Sequence, residues 1–270
     1  MLPVAPSKEI RSTVIRVEDL RCGYSDHSVL KGISFCIASG ELVGILGPNG
    51  SGKTTLLLAL SGVTPLQAGS IEITGEPLEK LRPKQRARRM AVIAQDGDVR
   101  FPFSCEEVVR MGRFPHQKRW QMDSAQDGAV VKRALELTDS LDLKDRLITA
   151  ISGGERQRVF MARALAQETP ILLLDEATSA MDIHRKLQIF QVLRTLNQEN
   201  GLTVVAVLHD VNLAALFCER IIFLKEGKIV ADGATDSVLT PEILEEVYRT
   251  RVLVQQIANT GKRQIVFLPE

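Results

Sequence analysis

The run Gly47-Pro48-Asn49-Gly50-Ser51-Gly52-Lys53-Thr54-Thr55 has the residue types and spacing of a phosphate cradle. It fits the pattern of a glycine, four variable residues and then Gly-Lys-Ser/Thr. Glycines let main-chain N–H groups converge on phosphate oxygens with no Cβ in the way. Lys53 brings positive charge to the β- and γ-phosphates, and the Thr54 hydroxyl is a suitable Mg²⁺ ligand. Far along the chain, Asp175-Glu176 closes the apolar run Ile171-Leu172-Leu173-Leu174. One of these carboxylates can serve the Mg²⁺ shell and the other can act on an attacking water.

Three further groups admit more than one reading on their own. Ser152 and Glu155 stand at capping-box spacing, which is a structural reason for both. Between them Gly153-Gly154 places two glycines in a first helical turn, at about 1 kcal/mol each relative to alanine. Their bared amides at a helix N-terminus offer a second anion site. A lone histidine is ordinarily a surface or core-satisfied residue, but His209 ends the apolar run Thr203–Leu208 at the sheet edge expected for Gln95 and Asp175. Tyr24, on a turn, could stack on a base or pack at a strand end.

These groups need a scaffold that delivers them to one place. Leu42–Leu46 reads as a buried strand before the cradle, and Leu56–Leu60 as an apolar helix after it, whose N-terminus adds partial positive charge. Strands are expected at Val14–Leu20, Val29–Ile37, Ser70–Gly75, Met90–Ala94, Ile171–Leu174 and Thr203–Leu208. Arg21–Ser25 reads as a turn. Helical spacing covers Arg82–Arg89, Glu106–Arg113, Gly128–Leu141, Ser152–Gln167 and Leu187–Leu196, and Pro241 opens another helix to Tyr248. The basic stretch Arg82, Lys84, Arg86, Arg88 and Arg89 reads first as a solvated helix face. Ile221–Leu224 with Ile229–Ala231 forms a hairpin, and the tail Leu253–Leu268 a second one around Thr260-Gly261-Lys262. Strands buried on both faces, with ligands at their C-terminal ends, imply an α/β sheet.

Composition narrows the class. The chain has 270 residues, 44% hydrophobic and 25% charged, with net charge +1. That balance fits a globular protein and gives no electrostatic reason for nucleic acid as a partner. Cys22, Cys36, Cys105 and Cys218 lie far apart without a CxxC, which argues against redox or structural metal motifs and suits a reducing compartment. No apolar run approaches the roughly 20 residues of a membrane-spanning helix. Met1–Ser12 lacks the apolar core of a signal peptide.

Taken together, the chain resembles the ATP-binding subunits of ABC transporters over nearly its whole length. Gly47–Thr55 matches the Walker A loop, and Ile171–Asp175 with Glu176 matches Walker B and its catalytic glutamate. Gln95 matches the Q-loop, Ile151–Glu155 the signature, Ser179-Ala180-Met181-Asp182 the D-loop and His209 the switch histidine. Tyr24 falls where the family's base-stacking aromatic lies. Ile151 and Met181 stand where leucine is usual, apolar for apolar. The resemblance implies an α/β P-loop NTPase sheet flanked by helices (the ABC ATPase fold), with an N-terminal antiparallel β subdomain and an α-helical signature subdomain. It divides one ABC ATPase domain, 1–270, into a RecA-like core with the β subdomain (14–95 and 170–250), a helical subdomain (96–169) and a β tail (251–270).

The resemblance also implies a homodimer in which each ATP lies between one copy's phosphate loop and the other's signature. Lys53 and the loop amides would hold the β/γ-phosphates, and Thr54, Gln95 and Asp175 would arrange Mg²⁺ directly or through water. Glu176 would polarise the attacking water, His209 would support it, and Ser152, Gly153, Gly154 and Glu155 would close the site in trans. Phe101-Pro102-Phe103 to Met111-Gly112-Arg113-Phe114-Pro115-His116, and His209–Ala215, resemble importers of iron–siderophore, haem and cobalamin. The implied protein is a peripheral ATPase on the cytoplasmic face of the membrane. It would touch its permease through about residues 97–120 and meet a periplasmic or extracellular substrate-binding protein only indirectly. The alternative is a soluble ABC ATPase, such as one for iron–sulfur cluster assembly. Ribosomal and repair types are disfavoured by the single cassette, and an exporter motor by the stretch around Arg113. Intact Glu176 and His209 disfavour a non-enzymatic regulator.

Overall fold

The computed structural model describes residues 12–24, 27–94, 101–117, 124–178, 180–258 and 260–269; of Tyr24 only the main chain is described. Along the chain, β1 (Thr13–Tyr24), β2 (His27–Ala38) and β3 (Leu42–Leu46) lead into α1 (Lys53–Leu60). They are followed by β4 (Ala68–Ile73), β5 (Glu76–Pro77), α2 (Pro83–Arg89) and β6 (Met90–Ile93), then α3 (Cys105–Arg110), α4 (Ala125–Leu137) and α5 (Gly153–Ala166). The second half runs β7 (Ile171–Asp175), α6 (Ile183–Asn200), β8 (Thr203–Val207), α7 (Val211–Phe217), β9 (Arg220–Lys225) and β10 (Lys228–Ala234). It ends with α8 (Thr235–Val238), α9 (Pro241–Tyr248) and the hairpin of β11 (Val252–Gln256) and β12 (Arg263–Phe267).

The apolar five-residue runs become the middle of a six-stranded sheet, ordered β10-β9-β3-β8-β7-β6. The pairs from β9 to β6 are parallel and β10 is antiparallel. Every residue of β3, β7 and β8 is buried, as a parallel sheet covered on both faces requires. Period-two alternation sends Leu172 and Leu174 into a core with α6, α7 and the C-terminal hairpin. Ile171 and Leu173 enter the core on the other face, shared with α1 and the antiparallel sheet β2-β1-β4-β5. A third core, built on Val108, Val109, Val131, Leu135, Val159 and Phe160, belongs to α3, α4 and α5. Because β3, β7 and β8 run in parallel, their C-terminal ends open on one edge.

Several expectations need revision. Arg21–Tyr24 is not a turn: it continues β1, with Cys22 opposite Leu30 and Tyr24 opposite His27. Register shifts interrupt the β1–β2 ladder, so the alternation visible in the sequence breaks there while pairing goes on. The helix expected to Leu141 stops at Leu137, because Asp139 takes a positive φ of 52°. α6 is longer than its apolar spacing suggested, reaching from the Asp182 cap to Gly201. The α2 arginines are not simply solvated. Arg86 donates to the Ser61 and Gly62 carbonyls beyond α1, and Arg88 donates to the Pro115 carbonyl.

Candidate functional site

The cradle begins where β3 ends. Gly47 has φ 150°, and a Cβ there would lie 2.0 Å from the Leu224 carbonyl oxygen of β9, so the first loop position admits no side chain. The loop crest, Asn49-Gly50, is exposed, while Ser51, Gly52 and Lys53 are buried. Lys53 Nζ folds back to donate to the carbonyls of Gly47 (2.9 Å) and Pro48 (3.0 Å). Burial lowers its pKa, and the nearby charges of Glu176 and Asp175 act against that shift.

β7 and β8 deliver the rest. Thr54 Oγ1 donates to Asp175 Oδ1 at 3.3 Å, which brings together the hydroxyl and the carboxylate expected to share a cation. Burial raises the Asp175 pKa; the Thr54 hydrogen bond opposes this and the Glu176 charge adds to it. The next residue, Glu176, has φ 49°, turning its side chain away from the strand line, and its N–H donates to Val207 O at 3.3 Å. His209 Nε2 hydrogen-bonds Glu176 Oε1 directly across the gap between β7 and β8.

Together these groups line an open cleft of about 760 Å³ formed by Val29, Asn49–Thr55, Glu176 and His209. Val29 was not legible as a site residue, because it is an ordinary strand valine that only the fold brings to the rim. The cleft suits a phosphate-bearing ligand. Ser51 Oγ is buried with no hydrogen-bond partner among the described residues, and a phosphate oxygen would complete it. The oxygen pair of Thr54 and Asp175 has the hard-donor chemistry that Mg²⁺ prefers.

The signature lies elsewhere. Ser152 caps α5, accepting from Glu155 N–H at 3.3 Å, while Glu155 Oε2 accepts from Ser152 N–H at 2.8 Å. These bonds, the backbone one foremost, lower the Glu155 pKa. The capping box is therefore real, and Gly153 and Gly154 open the helix beside it with Ser152 and Gly153 exposed. No residue of α5 lines the cleft. Asp182 caps α6 by accepting from Arg185 N–H at 2.9 Å, and Gln157 of α5 accepts from Ala180 N–H at 3.2 Å. The structure thus joins the phosphate loop, Asp175, Glu176 and His209, while Ser152–Glu155 and Asp182 do not line that cleft. Gln95, Ser179 and the Tyr24 side chain lie outside the described residues.

Residues 30–179 match the family model described as ABC transporter. The chain belongs to the ABC transporter family. Among its relatives, the cobalamin import ATP-binding protein of Halobacterium salinarum is 40% identical over 90% of this chain. The chain spans 60% of that relative's length. The iron(3+)-hydroxamate import ATP-binding protein of Bacillus subtilis is 38% identical, with 92% of each chain covered. Among solved structures, a metal-chelate type ABC transporter in an inward-facing conformation superposes with a TM-score of 0.83. It is 28% identical, and the match covers 96% of this chain and 98% of that one. No described helix is long and apolar enough to cross a membrane.

Proposed function

We propose that this ABC family member is the ATP-hydrolysing subunit of an importer for an iron–siderophore, haem or cobalamin-type chelate. Two copies would work together on a separate permease. The observation that carries the reading is the split site: the phosphate loop, Glu176 and His209 share one cleft to which α5 contributes nothing. Exposed Ser152 and Gly153 at a capped helix start are then the missing half, supplied by a second copy.

In this reading the loop amides and Lys53 hold the β/γ-phosphates, and Tyr24 stacks on the base. Water attacks the γ-phosphorus in line as the bond to the β–γ bridging oxygen breaks. Glu176 aims that water and takes up its proton, and His209 steadies the carboxylate and contacts the γ-phosphate. Thr54, Gln95 and Asp175 would hold Mg²⁺ directly or through water, and the ion would supply charge neutralisation at the phosphates. Ser152, Gly153, Gly154 and Glu155 of the second copy close over the γ-phosphate, and Ser179 and Asp182 lie along the seam. Positioning and charge stabilisation lower the barrier.

The division into core (14–95 and 170–250), helical subdomain (96–169) and tail (251–270) belongs to this proposal. So does docking of the permease on residues 97–120. Phe101 and Phe114 are 69% and 59% exposed, and the Phe101 and Phe103 rings lie 6.2 Å apart. Exposed aromatic rings of this kind suit a protein partner at the cytoplasmic face of the membrane. The import relatives and the metal-chelate type neighbour support the cargo class.

The test is Glu176→Gln, which keeps the cleft's shape and removes the base. With MgATP the purified variant is expected to elute as a stable dimer, measured by size exclusion with light scattering. A monomer under saturating MgATP would contradict the reading.

A further inference from the structure

The C-terminal hairpin has no part in the hydrolytic scheme, yet it grips the element that follows His209. α7 is seven residues long, too short to hold its own orientation. It starts at the cap Asp210, whose Oδ1 accepts from Asn212 N–H (2.9 Å) and Leu213 N–H (3.0 Å). His209 immediately precedes that cap, so any rotation of α7 swings the imidazole relative to Glu176.

Beyond the apolar packing of Val211, Leu213, Ala214 and Ala215 in the core, one polar side chain ties α7 to the hairpin. Asn212 Nδ2 donates to the Ile265 carbonyl at 3.1 Å, and Ile265 N–H donates back to Asn212 Oδ1 at 2.7 Å. Ile265 lies opposite Val254 in the β11–β12 ribbon. In such a ribbon, alternate residues point both main-chain groups outward, away from the partner strand. Asn212 takes both groups of Ile265, as a third strand would. Ile265 is 3% exposed, so water cannot easily replace those bonds. The hairpin is itself anchored on the phosphate-loop side. Tyr248 meets Phe267 and Phe223 edge-on, with ring centroids 5.4 Å and 6.5 Å away. Phe223 is the register partner of Leu46, the residue before Gly47.

We propose that Asn212 is a positioning residue: by clamping α7 to the hairpin, it sets the His209 imidazole against Glu176. The consequence for turnover rests on the ATPase reading above; the geometric part does not.

The test compares wild type with Asn212→Ala and with Asn212→Asp, which keeps the acceptor for Ile265 N–H. The chain has only four histidines, His27, His116, His184 and His209, so their ring resonances are separable by NMR. In nucleotide-free Asn212→Ala the His209 ring resonances should shift, while those of the other three stay. Its kcat for MgATP should fall about tenfold, with KM changing less than about twofold. Asn212→Asp should show the same pattern with a loss of about threefold, and it serves if the alanine variant does not fold. An unmoved His209 resonance, or a loss confined to KM, overturns the proposal. If wild type itself shows no MgATP turnover, the ATPase reading fails and the NMR comparison alone decides the role of Asn212.

Discussion

Asp175, the carboxylate to which the proposed function assigns a cation, works against the stability of the fold. Burial raises its pKa from the ordinary 3.8, so the unfolded chain releases this proton more readily than the folded one. The folded state is therefore penalised above pH 3.8, increasingly up to the folded pKa and constantly beyond it. Below pH 3.8 the penalty vanishes. Asp175→Asn, which can still accept from Thr54, should raise the Tm of nucleotide-free protein at pH 7 by roughly 2–4 °C. The gain should fade as the pH approaches 4, and MgATP turnover should be lost. A lower Tm at pH 7 in thermal unfolding would contradict this. Residues of this kind were legible because their types and spacing encode the chemistry directly. The Glu176–His209 contact was not, because only the pairing of β7 with β8 brings positions 176 and 209 together.

Among the elements, the junction around Arg113 decides how α3, α4 and α5 stay together. Its Nε donates to Asp127 Oδ1 at 2.8 Å, and its Nη1 donates to Ala166 O and Glu168 Oε2, each at 2.7 Å. One buried guanidinium thus ties the turn after α3 to the first turn of α4 and the end of α5. Arg113→Ala should leave those acceptors unanswered and destabilise the protein by about 3 kcal/mol, read from the urea midpoint. A change below about 0.5 kcal/mol would mean that the junction is solvated rather than structural. From the sequence Arg113 signalled only a subfamily, because its three acceptors lie 14 to 55 positions away. Apolar period located the strands and most helices, including the tail hairpin. It failed where local geometry overrode it: at the bulged continuation of β1, at Asp139, and at short α7, whose seven residues show too little periodicity to read. The arginines of α2 do lie on a surface face, as their spacing suggests. Their charge is ordinary for a surface, and only the carbonyls facing them reveal their bonding.

At the scale of the whole molecule, one edge of the parallel sheet gathers the phosphate loop, Asp175, Glu176 and His209, and not the signature. Ser152 and Gly153 sit exposed at the start of a capped helix in a chain whose cleft they do not line. The proposed function therefore has two copies, head to tail, complete each site. Specific MgATP hydrolysis measured across a dilution series tests this most directly. Paired sites predict a specific rate that rises with protein concentration and falls toward zero once the chain is too dilute to associate. A specific rate that stays constant through the dilution, with light scattering showing only monomer, would contradict the account.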